Sequence, residues 1–254
     1  MPDDIQNQRR AIDAGKTNIL SDRELDIVVG GIERLDEEAT RMGFEIHIET
    51  DFNEFARLRR AGGGVVNQTV DPQFSQLDRD AFWLRATGID GALAGLYGVK
   101  VFRTANFMDL LRSERLWFDR GPHAVSPALN IIDPFEPFGG VVSHGAGLWV
   151  HPDFRGRGLS GFIPEYVRAI AVKLYAVDCH TGFVFAQHQE HALRAYGFSQ
   201  VDKVIDGFCP ITGSNTELYM GRLTRTEIIR RLRDVTATAR VTTEDPQARA
   251  VAVG

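Results

Sequence analysis

The stretch Leu148-Trp149-Val150-His151-Pro152-Asp153-Phe154-Arg155-Gly156-Arg157-Gly158-Leu159-Ser160 constrains this chain more than any other part of it. An apolar strand, residues 147 to 150, runs into a proline turn, and a long helical pattern begins at Ser160. Pro152 has no N–H, so strand pairing stops there. Between strand and helix lies a short loop with two arginines and two glycines. A strand–loop–helix of this kind presents the free N–H groups of a helix N-terminus, a ready site for a phosphate or pyrophosphate. Gly156 and Gly158 allow close backbone approach to an anion. Arg155 and Arg157 add positive charge beside it.

Two families share this local pattern. The loop resembles the acyl-CoA pyrophosphate loop of the Gcn5-related N-acetyltransferases (GNAT), Arg/Gln-x-x-Gly-x-Gly/Ala after a strand ending Val-x-Pro. The matching residues are Val150, Pro152, Arg155, Gly158 and Ser160; Ser160 stands where the family has Gly or Ala. Gly156 to Gly161 is also a literal G-x-G-x-x-G, with Asp178 about 20 residues on, where a dinucleotide fold carries its ribose-binding acid. Context favours the acetyltransferase. A dinucleotide strand leads almost directly into the first glycine, whereas His151 to Arg155 intervene here. That fold also needs several further strand–helix crossovers, and too little chain follows the motif to build them.

The rest of the chain supports this choice. Residues 1 to 14 read as a polar arm. Ser21 and Glu24 form a capping box for a helix to about Met42, with Leu25, Ile27, Val28, Ile32 and Leu35 on its apolar face. Residues 43 to 50 alternate as a strand, and Asp51 caps a helix to about Ala61. Residues 81 to 86 and 92 to 102 form a hairpin. The pattern predicts a helix over 105–118 and a Pro- and aromatic-rich segment over 119–138. A strand follows over 141–150, then a helix over 160–177, a strand over 181–187 and a short helix over 190–196. Strands at 198–206 and 218–223 and a helix over 224–235 complete the order, and the tail beyond reads as mobile. This is the order of the GNAT fold from residue 43 to about 223. The expected fold is therefore α/β (α+β), a mixed, mostly antiparallel central sheet with a splayed parallel pair, flanked by helices. The arm and helix of 1–42, the insertion 103–140 and the end at 224–254 are additions. Ala195-Tyr196-Gly197-Phe198 supports the resemblance, because the family often places Gly-Phe where its last helix enters the next strand.

Composition sets limits. The chain has 254 residues, 43% hydrophobic and 25% charged, enough for a sizeable core. A net charge of -5 argues against a nucleic-acid partner. No apolar run is long enough to span a membrane and the N-terminus is polar, so the expected location is cytoplasmic. Two cysteines, Cys179 and Cys209, do not suggest a disulfide framework.

The resemblance implies acetyl-CoA, or another acyl-CoA, as cosubstrate. It places the thioester end on backbone of Leu148, Trp149 and Val150, and the pyrophosphate on Arg155, Gly156, Arg157, Gly158, Leu159 and Ser160. Direct transfer to a small-molecule or peptide amine calls for a base with a pKa near neutrality. His144 is the candidate, on the motif strand between the small neighbours Ser143 and Gly145. The family's tyrosine acid falls at Leu193, a departure that leaves a catalytically degenerate acyl-CoA-binding domain as an alternative. Tyr196 could serve in its place or pack in the core. Cys179, His180, His188 and His191 lack zinc-site spacing, so no metal is expected. A Ser143–His144 pair is disfavoured because adjacent strand residues face opposite ways. Trp83 and Trp149 read as core. Trp117, Phe118, Phe135 and Phe138 read as core, as an apolar cover over the acceptor cleft, or as a mixture of the two, with a homodimer contact as the competing use of their segment.

Overall fold

A computed structural model describes residues 19–120, 129–209 and 212–244, with backbone alone at 191–192 and 235–244. The polar arm, part of the insertion and the end of the tail lie outside the described residues. Helix α1 (Asp22–Arg41) begins as its sequence dictates: the Glu24 N–H donates to Ser21 Oγ, and the Ser21 N–H donates to the Glu24 carboxylate at 2.9 Å. Asp51 caps α2 (Phe52–Ala61), its carboxylate accepting from Asn53 and Glu54 N–H.

Seven strands form one sheet: β1 (Phe44–Glu49), β2 (Ala81–Gly88), β3 (Leu93–Thr104), β4 (Gly140–Val150), β5 (Cys179–Phe185), β6 (Gln200–Cys209) and β7 (Ser214–Thr224). Their order is β1-β2-β3-β4-β5-β7-β6. Among these pairs β4–β5 alone is parallel, joined by the crossover helix α4 (Leu159–Tyr175). The short helix α5 (Gln189–Arg194) follows β5.

The two faces of the sheet carry different covers. On one, α1, α4 and the last helix, α6 (Arg225–Glu244), share a core that includes Val28, Ile32, Leu35, Val167, Ile170, Ile228 and Leu232. The Tyr166 hydroxyl donates to Asp36 at 2.6 Å, tying α4 to α1. On the other face α2 packs Phe52 and Phe55 against Trp83 and Trp149. Beside it, α3 (Met108–Arg112) with Leu116, Trp117 and Phe135 packs on β4 to β7.

That segment departs from expectation. In place of a helix over 105–118, one turn and a half forms. Glu114 takes φ +55° and the Leu116 N–H returns to the Leu110 carbonyl. Met108, Leu111, Leu116 and Trp117 are all fully buried. Burying four large side chains on a sheet face outweighs the small gain from continuing one helix. Trp117 and Phe135 are thus core rather than an outer surface.

Candidate functional site

The candidate site lies where β4 and β5 separate. Their pairing runs from Val142↔Cys179 to Gly145↔Gly182 and stops, although both strands continue. The cause lies on the other edge of β4. Opposite β3 the register passes from Gly98↔Ala146 to Leu96↔Trp149, so β4 holds one extra residue, a β-bulge. Gly147 sits there at φ +69°, a conformation that costs a side-chain-bearing residue but not glycine. The bulge bends β4 away from β5. Beyond it the His151 N–H donates to the Ala94 carbonyl at 2.9 Å, which fixes the phase of the ladder. Alternation then turns the N–H groups of Leu148 and Val150 away from β3, into the gap. Trp149 faces α2, while Leu148 and Val150 pack towards α4.

The strand leads straight into the loop. Pro152 to Phe154 form a single 3₁₀ turn, and Gly156 and Gly158 take φ +78° and +83°. A Cβ on Gly156 would meet nothing within 4 Å, and one on Gly158 only Met42 Cε at 3.7 Å. These glycines are therefore required by backbone conformation rather than by crowding within the chain. Gly158 is the N-cap of α4, and no side chain caps it. The N–H of Leu159, the first of the helix, has no acceptor in a preceding turn. Leu159 is buried beneath the loop, whereas Arg155, Gly156, Arg157 and Gly158 are exposed. Arg155 Nε donates to the Val150 carbonyl at 3.4 Å, and the Arg157 guanidinium lies 5.1 Å from the centre of the Phe154 ring. The result is one continuous backbone track from the gap to an uncapped helix N-terminus.

On the α3 side of the split lies His144, fully buried. Its ring lies between Phe183, at 4.8 Å, and Phe107, at 5.9 Å. Nδ1 is 2.9 Å from Thr181 Oγ1, and that hydroxyl donates to the Ser143 carbonyl. Nδ1 must then carry the imidazole proton, which leaves Nε2 a bare acceptor, buried and unpartnered. The Trp117 indole N–H, whose ring stacks at 5.8 Å on Phe183, is likewise buried without a partner. Burial pushes the His144 pKa down to about 3. A base poised near neutrality is thus not what this closed environment makes, and aromatic rings occupy the room expected beside it.

The α4 side holds residues that local sequence reading missed. Ser143 Oγ is 2.9 Å from Nδ1 of His180, not paired with His144, because neighbouring parallel strands align the two side chains. His180 is also fully buried, and its Nε2 has no partner. Burial, then the nearby Arg168 and His144, lower its pKa. The Arg168 guanidinium is 4.7 Å from the centre of the Phe198 ring and 3.3 Å from Glu165. Tyr97 places its hydroxyl against Gly145. Tyr196 is half-buried against the α1–α4–α6 core, and burial raises its pKa. Leu193 is 47% exposed and offers no acid. No local motif marks Tyr97, His180 or Arg168; the one hint is glycine at both 145 and 182.

The dinucleotide alternative fails on geometry. Asp178 lies beyond the far end of α4, a 17-residue helix and so about 26 Å from Gly158. There it accepts from the Val141 N–H at 2.9 Å and pairs with Arg225 at 2.8 Å. The sheet also lacks the run of parallel strands that fold requires. Among the described residues no group of three or more His, Cys, Asp or Glu could hold a metal ion, and both cysteines are buried and outside any disulfide. No described helix is long and apolar enough to cross a membrane.

One split parallel pair in an otherwise antiparallel sheet, with a bulge on its first strand, decides the architecture. This is the topology that the resemblance to the GNAT fold implied. No protein-family model matches the chain, and no curated protein matches it in sequence. Solved structures similar to it include NAA60 of Arabidopsis thaliana in complex with a bisubstrate analogue. That pair is 16% identical, covering 71% of this chain and 99% of that one, with a TM-score of 0.42. A variant of spermidine N-acetyltransferase SpeG from Vibrio cholerae is 11% identical, covering 74% of this chain and 98% of that one, with a TM-score of 0.45.

Proposed function

We propose that this chain is an acyl-CoA-dependent N-acyltransferase. Acetyl-CoA is the donor, a small-molecule or peptide amine is the acceptor, and transfer is direct within a ternary complex. One observation carries the reading: the continuous track from the β4–β5 gap to the N-terminus of α4. A thioester arm hydrogen-bonds to extended backbone, which the N–H groups of Leu148 and Val150 supply. A pyrophosphate needs clustered N–H donors and positive charge, which the loop 155–160 supplies. The N–H nearest the acyl carbonyl stabilises the oxyanion formed on attack. The acceptor enters from the α3 side. There the Nε2 lone pair of His144 accepts from the attacking amine, which reaches it only when the packed rings of Phe107, Trp117 and Phe138 move apart. Contact with water or an amine restores solvation to His144 and returns its pKa towards the ordinary value.

The test is ligand-induced melting. CoA and acetyl-CoA should raise Tm; at a hundred times Kd the stabilisation is about 2.7 kcal/mol. NAD(H) and NADP(H) should leave Tm unchanged. Gly158→Asp should remove the CoA shift. Asp is among the few residues that tolerate this backbone conformation, and its carboxylate puts negative charge among the N–H groups. Stabilisation by a dinucleotide and not by CoA would overturn the reading. The exposed Leu193 and the closed aromatic cover favour a second reading, a degenerate acyl-CoA-binding domain. It predicts a CoA shift with no amide formed from any of a panel of aryl, alkyl and peptide amines.

A further inference from the structure

Gly145 and Gly182 face each other on the last rung of the parallel pair. A Cβ on Gly145 would lie 1.9 Å from the Tyr97 hydroxyl oxygen, and one on Gly182 would lie 3.5 Å from the same atom. Both positions are glycine where this hydroxyl sits, at the point where β4 and β5 part. Tyr97 reaches it because it lies on β3 opposite the bulge, skipped by the register between Gly98↔Ala146 and Leu96↔Trp149. Its ring belongs to the core shared with α4, so the hydroxyl approaches the split from the side opposite His144. Tyr196 is near enough to act electrostatically on Tyr97, but Tyr97 is the phenol that touches the rung.

We infer that Tyr97 is the proton donor to the sulfur that leaves the acyl group, filling the role for which position 193 offers only leucine. The inference rests on the proposed acyl transfer. In that step the amine nitrogen bonds to the acyl carbon, the C–S bond breaks and its electron pair goes to sulfur. Tyr97 gives its hydroxyl proton to that sulfur. The nitrogen loses one proton to Nε2 of His144, and exchange with solvent then neutralises both the imidazolium and the Tyr97 phenolate. The balance is amine plus thioester to amide plus thiol.

The surroundings suit such a transfer. Burial pushes the Tyr97 pKa up to about 12, so the phenol is protonated at neutral pH. A thiolate leaving into the same dry gap is destabilised by burial as well, which raises its affinity for a proton. Proton transfer between two such groups is close to level. The Arg168 guanidinium, 1% exposed with Nε and Nη2 unpartnered, acts on Tyr97 electrostatically and favours negative charge there. Glu165 holds that guanidinium in place and Arg231 holds Glu165.

Tyr97→Phe keeps the ring that fills the core. It should lower kcat about 10²-fold, the scale of a lost general acid, with acetyl-CoA Kd and Tm close to wild type. Replacing Tyr97 by 3,5-difluorotyrosine, whose phenol is more acidic, should restore turnover. A Phe variant at wild-type kcat overturns the inference and leaves the acyltransferase reading intact. So does a difluorotyrosine variant as slow as Phe, since packing alone would then matter. A wild-type protein that neither binds CoA nor forms an amide overturns the reading and this role together.

Discussion

At the scale of single residues, two histidines buried on opposite faces of β4–β5 have an energetic consequence that can be measured. An unfolded imidazole takes up a proton below its ordinary value of 6.5, whereas folded His144 resists protonation until about pH 3. Between those values the unfolded state binds more protons. Stability is therefore full above 6.5 and falls as pH drops, at about 1.4 kcal/mol per pH unit for each such group. His180 acts in the same direction. His144→Phe keeps an aromatic ring between Phe107 and Phe183 and should remove about half of this slope, read from urea midpoints between neutrality and about pH 5. A variant with the wild-type slope would mean that His144 is hydrated in solution.

At the scale of elements, the segment after β3 is held down by a buried charge as well as by its aromatics. Lys100, 4% exposed on β3, donates to Asp119 at 2.5 Å. Burial lowers the Lys100 pKa and Asp119 opposes that shift. Removing the acid strands an ammonium group, whereas removing the base leaves a carboxylate that water still reaches. Asp119→Asn should therefore cost about 3 kcal/mol and Lys100→Met distinctly less, measured by denaturant unfolding. Equal costs would mean that the pair contributes little beyond packing. Protease cleavage between residues 105 and 120 should accelerate in the first variant, because this ion pair anchors the end of the segment to the sheet.

For the whole molecule, the question is whether α1 and α6 are appendages or part of one cooperative unit. Leu232 is fully buried on α6, and a Cβ built on Gly31 of α1 would lie 3.0 Å from its side chain. Both helices share their core with α4, the helix whose N-terminus ends the proposed cofactor track. Leu232→Ala should cost about 2–5 kcal/mol. It should lower Tm in a single transition, seen alike by far-UV dichroism and by tryptophan fluorescence from the other face of the sheet. Two separated transitions would show that the α1–α6 layer unfolds independently.

The amino-acid pattern by itself determined what depends on neighbours in the chain. The Ser21 capping box, the Asp51 cap, the hairpin and the strand–loop–helix at 147–160 are local in this sense, and each is set by a few adjacent residues. Because GNAT element order follows from those pieces, the architecture was legible as well. Contacts between strands distant in sequence were decided only by the tertiary structure. Parallel register put Ser143 against His180 rather than His144. The bulge let Tyr97 reach Gly145. The fate of the apolar run after Thr104 depended on a sheet face that its own sequence does not contain, and so it packed down instead of continuing as a helix. His144 was visible as a titratable group on the motif strand, but its protonation was not. A pKa is set by the solvent and charge around a group, and that surrounding exists only once Phe107 and Phe183 have packed about the ring.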